Sequence, residues 1–140
     1  MSAPTIEELE VEVRYAETDQ MGVVHHANYL IWFELVRTAL CKRSGYHYAE
    51  IEESGFLMMV TNVEVSYHRG IHYGDSVSVS CWIEAMRSRT IKFTYRIERS
   101  GELAATGRTE HVWIDRVTRK PCRMPPLVKE PFARLAGNQS

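Results

Sequence analysis

Between residues 15 and 29 the chain reads Tyr-Ala-Glu-Thr-Asp-Gln-Met-Gly-Val-Val-His-His-Ala-Asn-Tyr, a concentration of groups able to do chemistry. Asp19 is a carboxylate in a loop, shortly before residues whose pattern turns helical. A carboxylate in that position can attack a carbonyl carbon or activate a water. The first N–H groups of the helix, around His26 to Tyr29, lack an intrahelical partner, and the helix dipole lies behind them. Such donors suit a carbonyl oxygen that becomes negative during reaction. The imidazole of His26 and the phenol of Tyr15 are placed to orient the carboxylate or its substrate, and Gly22 permits a tight turn or a close backbone approach to a ligand. Together these are the parts of an acyl-transfer site. By pattern alone, an aspartate before a helix also fits a turn or capping residue.

The elements on either side must hold this loop. Leu9, Val11, Val13 and Tyr15 alternate with Glu10, Glu12 and Arg14, the period of a half-buried strand. From Ala27 to Ser44 the spacing predicts a helix, with Gly45 as its C′ residue. Its apolar residues cover more than one stripe, so a mostly enclosed helix is expected. A short helical or irregular stretch over residues 46–54 follows. Period two then returns around Val63–Tyr67, Val77–Ile83, Ile91–Ile97 and Leu103–Asp115, with turn signals at Gly70, Gly74-Asp75 and Ser100-Gly101. The order is strand, long helix, then four strands in a meander. An α+β domain spanning residues 1–140 is expected: a curved antiparallel sheet of about five strands wrapped around one long helix. Its core covers about residues 9–124. Pro121, Pro125, Pro126 and Pro131 forbid a further central strand and suggest an irregular tail. Such a sheet leaves edges that a second copy would cover.

The spacing Asp19, Gly22, Val24, His26, Asn28, Tyr29 resembles the D-x-x-G-x-V-x-H-x-N-Y signature of the 4-hydroxybenzoyl-CoA thioesterase family, and more narrowly its bacterial Tol–Pal-associated acyl-CoA thioesterases. The likeness spans about residues 9–124. It implies a hot-dog fold and hydrolysis of an acyl-coenzyme A thioester to free acid and CoA. It also implies sites at the interface of a homodimer or homotetramer. Asp19 matches the family's catalytic carboxylate, acting as nucleophile or general base. His26 matches the histidine whose backbone N–H polarises the thioester carbonyl, and Tyr15 matches a tyrosine of some relatives. Gly22, Asn28 and Tyr29 complete the substrate-binding loop. His25 departs from the pattern, standing where many relatives carry an aromatic residue, and is expected to line the acyl pocket. A non-catalytic acyl-CoA or acyl-carrier binding module and a dehydratase on the same fold are the alternatives.

Elsewhere, Arg87, Ser88 and Arg89 lie between two predicted strands. They fit a solvated turn or a phosphate clamp for the nucleotide end of coenzyme A, because Arg binds phosphate bidentately. Arg116, Arg119, Lys120 and Arg123 form a second basic loop. Glu34 lies about 9 Å along the helix from Asn28. It is expected to pair with Arg37 and is the rival carboxylate to Asp19. His68 and His72 read as turn residues, and Met58 and Met59 as core.

Composition narrows the setting. Of 140 residues, 44% are hydrophobic and 25% charged, with net charge −1, so a general nucleic-acid or anionic-membrane binder is excluded. Cys41, Cys81 and Cys122 are odd in number and form no CxxC pair, which suggests reduced thiols in a cytoplasmic protein. The acidic segment from Met1 to Glu10 does not read as a signal peptide, and no apolar run is long enough to span a membrane. No metal or other cofactor is expected, coenzyme A being part of the substrate.

Overall fold

The computed structural model describes residues 3–137. Strand β1 (Glu7–Glu12) leads through a 3₁₀ turn (Tyr15–Glu17) and a loop into α1 (Ala27–Lys42) and the short α2 (Tyr48–Glu53). Four strands follow: β2 (Phe56–Tyr67), β3 (Ser76–Met86), β4 (Thr90–Arg99) and β5 (Glu102–Asp115). They form one antiparallel sheet in the order β1-β3-β4-β5-β2.

This order corrects the expected four-strand meander. Only β3, β4 and β5 run as hairpins. β2 pairs with β5, and β1 occupies the outer edge of β3. The Gly70 and Gly74-Asp75 signals therefore mark a crossover instead of a hairpin. Residues 68–75 reach about 26 Å when extended, enough for the three interstrand spacings, about 14 Å, between β2 and β3. On its way the crossover docks onto the loop of interest, where the Val24 N–H donates to Ile71 O at 2.7 Å and Val23 bridges His72.

Alternation on β3 and β4 puts Val77, Val79, Cys81, Ile83, Ile91, Phe93, Tyr95 and Ile97 in the core. Tyr29, Trp32, Phe33, Val36 and Leu40 face them from one stripe of α1. Phe33 stacks on the Tyr95 ring at 4.2 Å and lies on Gly107 of β5, where any Cβ would overlap its ring. Helix and sheet can approach this closely because position 107 carries no side chain.

Two further expectations change. α1 is not fully enclosed: Leu30, Ile31 and Leu35 are 41–50% exposed on its other side. α1 is also not alone, because residues 126–136, expected as an irregular tail, form α3 (Pro126–Ala136). Pro125 and Pro126 suit this helix start, where a missing N–H breaks no bond, and Pro131 lies inside the helix. Val128, Phe132, Leu135 and Ala136 then share a buried face beside Trp113.

Candidate active site

The loop between β1 and α1 is organised by a residue that the motif does not contain. Glu17 is 3% exposed. Its Oε1 accepts from the Arg14 N–H (2.8 Å), and its Oε2 accepts from the Trp32 indole on α1 (2.8 Å). Its carbonyl accepts from the His25 N–H (2.8 Å) and from Asn28 Nδ2 (2.9 Å). Burial works to raise the carboxyl pKa, but the hydrogen bonds from Arg14 and Trp32 and the Arg14 charge outweigh it and hold it below its ordinary value. Glu17 thus ties both ends of the loop to the helix. No local pattern marks Glu17 in the sequence, because Arg14 has no side-chain acceptor with which to complete a capping box.

Asp19 stands exposed at the head of the turn that Glu17 anchors. Its Oδ1 accepts from the N–H groups of Met21 (2.8 Å) and Val23 (3.3 Å). Its backbone pairs with Val23 and Gly22. One carboxylate oxygen is therefore fixed, and among the described residues no hydrogen bond engages Oδ2. Gly22 has φ +77°, and a Cβ there would meet nothing within 4 Å. The glycine supplies the left-handed turn, not room for a ligand.

The start of α1 differs from the expected row of unpaired donors. His25 Nδ1 accepts from the Ala27 N–H (3.2 Å), the Asn28 N–H donates to His25 O and the Tyr29 N–H to His26 O. Among the described residues, the His26 N–H alone of these remains unengaged. His25 is thus a capping group, with its ring stacked on His26 at 4.3 Å. Asn28 is turned to Glu17, and Tyr29, 3% exposed, packs edge-on against Trp32 and Tyr67. Tyr67, expected only as a strand residue, donates from its hydroxyl to His26 O at 3.4 Å. Tyr15 is 77% exposed and packs on Tyr73 at 5.6 Å. No hydrogen bond joins Tyr15 or His26 to Asp19 among the described residues.

Arg87 and Ser88 lie at the other end of β3. Glu12 pairs with Ser76 at the loop end, and β3 runs about 33 Å from there to Met86, at about 3.3 Å per residue. There a cleft of about 440 Å³ is lined by Arg87 and Ser88, by Arg123 and Met124 from the second basic loop, and by Lys129 of α3. Arg89 does not line it; its carbonyl accepts from the Trp113 N–H. Three cations converge beside apolar side chains, although the sequence separates them by up to 42 positions (129 − 87).

Glu34 does not make the expected pair with Arg37. It is solvent-exposed, while Arg37 turns inward to donate to the hydroxyls of Tyr95 (2.9 Å) and Tyr48 (3.3 Å). His72 lies 3.8 Å from Asp75, as a turn residue would. Met59, expected in the core, is 51% exposed on β2, whereas Met58 packs against the core.

The family model of the thioesterase-like superfamily matches residues 13–132. The chain is 43% identical over 113 residues to a Bacillus subtilis protein named as an acyl-CoA thioesterase, YneP, covering 80% of this chain and 82% of that one. It is 28% identical to the acyl-CoA thioesterase YbgC of Haemophilus influenzae, covering 89% of this chain and 93% of the relative. The crystal structure of a DHNA-CoA thioesterase from Staphylococcus aureus superimposes with TM-score 0.88 at 37% identity, covering 94% of this chain and 91% of the other. A five-stranded sheet of this order and a family match running from just after β1 into α3 lead to one assignment: the chain belongs to the thioesterase-like superfamily and has its hot-dog fold.

Proposed function

We propose that this protein hydrolyses an acyl-coenzyme A thioester to the free acid and CoA, with Asp19 as nucleophile or general base. Its standing as a thioester hydrolase rests on the family and on relatives named for that activity. The Asp19 signature further supports the 4-hydroxybenzoyl-CoA thioesterase branch and kinship with its Tol–Pal-associated members.

One observation carries the mechanistic reading. The loop that fixes one oxygen of Asp19 also leaves the His26 N–H unengaged at the start of α1. In this reading, that N–H and the helix dipole receive the thioester oxygen as it becomes negative. The Asp19 carboxylate attacks the carbonyl carbon or draws a proton from the attacking water. On the general-base route CoA leaves as the thiol with the proton that Asp19 took from the water. On the nucleophilic route the thiolate takes a proton from solvent, and water then hydrolyses the acyl–Asp19 anhydride to the free acid and the restored carboxylate. No metal or redox cofactor is needed for this chemistry. Arg87, Ser88, Arg123 and Lys129 are the groups available for the phosphates of CoA.

Two copies fit this reading better than one. On a single chain, the Asp19 loop and the basic cleft lie at opposite ends of β3. β2 is a twelve-residue sheet edge exposing Met59, Val60, Val63 and Tyr67. Antiparallel pairing of two β2 edges would bring Tyr67, which touches His26, beside the partner's Phe56 end, next to the partner's basic loop. The apolar face of α1 at Leu30, Ile31 and Leu35 offers a further contact for a tetramer. A cytoplasmic setting suits the three cysteines, none of which is in a disulfide.

The test is thiol release from a panel of acyl-CoA substrates by the parent and by Asp19→Asn. The variant should bind but not hydrolyse. Equal rates would remove Asp19 from the mechanism. Stoichiometric binding without turnover by the parent would favour a binding module instead.

A further inference from the structure

His25 is where the loop departs from the family signature, and its ring is built into the start of α1. The His25 N–H donates to Glu17 O at 2.8 Å, His25 O accepts from the Asn28 N–H at 3.0 Å, and Nδ1 accepts from the Ala27 N–H at 3.2 Å. The last of these bonds closes a small ring of atoms that contains the His26 nitrogen. The peptide carrying the unengaged His26 N–H is therefore held from both sides. Its direction depends on Nδ1 remaining an acceptor.

A backbone N–H can only donate, so the bond from Ala27 settles the state of the ring: Nδ1 carries a lone pair and the proton is on Nε2. The buried His111 differs. It is joined to Arg37 through Tyr95 and Thr109, whose hydroxyls donate or accept, so either of its tautomers fits. His25 is also exposed, and His26 stacks on it at 4.3 Å with 28° between the rings. The other titratable groups around it come from three elements. Asp19 and Glu17 precede it in the loop, the carboxylate of Glu17 being committed to Arg14 and Trp32. Tyr67 reaches His26 O from β2, and His72 with Asp75 lies on the crossover that bridges Val23. Among the described residues, no carboxylate forms an ion pair with His25 or accepts from it. A second ring proton would go to Nδ1, where it meets the Ala27 N–H donor to donor. It would also place a positive charge beside the His26 ring and at the positive end of the α1 dipole.

We propose that His25 is a positioning residue: its neutral ring aims the His26 N–H, and protonation of that ring releases the first turn of α1 and turns the site down as the pH falls. This rests on the His26 N–H being the donor to the thioester oxygen, and it gives His25 a part through His26 alone.

The experiment compares the parent with His25→Asn and His25→Phe from about pH 8 to about pH 5, the range in which imidazoles titrate. The asparagine oxygen can accept from the N–H two positions on and does not titrate, whereas phenylalanine offers no acceptor. Two quantities are followed in the full chain: kcat/KM from thiol release, and the Ala27 amide resonance by NMR. As the pH falls, the parent should lose about fivefold more of its alkaline rate than His25→Asn loses of its own, the ratio that one helix cap is worth. The Ala27 amide should shift over the same range in the parent and not in His25→Asn. His25→Phe should be about fivefold slower than His25→Asn throughout. All three proteins share Asp19, His26 and His111, so a decline common to them belongs to those groups. Equal declines in the parent and His25→Asn overturn the proposal, as does an Ala27 amide that follows one course in both. No thiol release by the parent at any pH would overturn the hydrolase reading instead. The amide then decides alone, a shift confined to the parent upholding the part given to His25.

Discussion

The Asp19 loop and the Arg37–His111 cluster satisfy their polar groups in opposite ways. In the loop, the partners of Asp19 and Glu17 lie 2 to 15 positions apart in the chain, and the buried glutamate collects donors from both ends. What stays open there is at the surface: one oxygen of Asp19 and the N–H of His26. In the cluster, Arg37 reaches Tyr95 across 58 positions, and what stays open is buried: Nδ1 of His111 and Nε1 of Trp113. Open groups on a braced surface loop can meet a reacting substrate and water. The buried nitrogens are closed off from solvent by the fold.

Four measurements would break or sharpen that contrast. The largest effect is expected from Asp19→Asn, with thiol release falling about 10³-fold, within the range for losing a positioned base. Stability should change little, because the amide oxygen can still accept from Met21 and Val23. A loss of fold instead would make Asp19 a turn residue.

Second is the pH dependence of stability set by His111. Its folded pKa, about 3, lies below its ordinary 6.5, so unfolding takes up a proton. The contribution is fully present above about pH 6.5 and is lost as pH falls toward 3. The slope approaches about 1.4 kcal/mol per pH unit within that window. Urea unfolding from pH 7 to 4 should show this slope in the parent and a flatter one in His111→Phe.

Glu17→Gln should cost about 2 kcal/mol, because the amide turns a donor toward either the Arg14 N–H or the Trp32 indole. Since the folded pKa of Glu17 is depressed, its stabilisation is present above about 4.5 and is lost as pH falls below that value. The variant should therefore lose stability at pH 7 and converge on the parent in acid, as read by chemical denaturation. Activity should fall with it, through misplacement of Asp19. The smallest effect belongs to His25→Ala, which removes the acceptor for the Ala27 N–H and should cost about 1 kcal/mol of thermal stability. A much larger loss of activity than of stability in that variant would give His25 a role beyond capping.

Much of this was legible in the chain because it depends on neighbours. Alternation from Val77 to Ile83 and from Ile91 to Ile97 depends only on which face a residue takes, and both runs are core strands. The start of α1 at Ala27 and the turn through Gly22 follow from local spacing and backbone freedom. The candidate loop could be found in the same way, since Asp19, Gly22 and His26 lie within a few residues of one another.

The sequence by itself thus determined the strands, the main helix and the loop between the first strand and that helix, through patterns of period two and 3.6 and one left-handed glycine. Tertiary structure alone decided where β2 joins the sheet, because pairing with β5 rather than β3 is a choice between distant edges. It turned the proline-containing tail into α3, whose apolar stripe becomes a reason to fold only once Trp113 and β3 are there to receive it. It also buried Glu17 and turned the half-buried Arg37 inward, although charged residues are ordinarily read as solvent-facing. Asp19 was visible because its chemistry is local. The glutamate that braces it was not, because its indole partner is supplied by the folded helix.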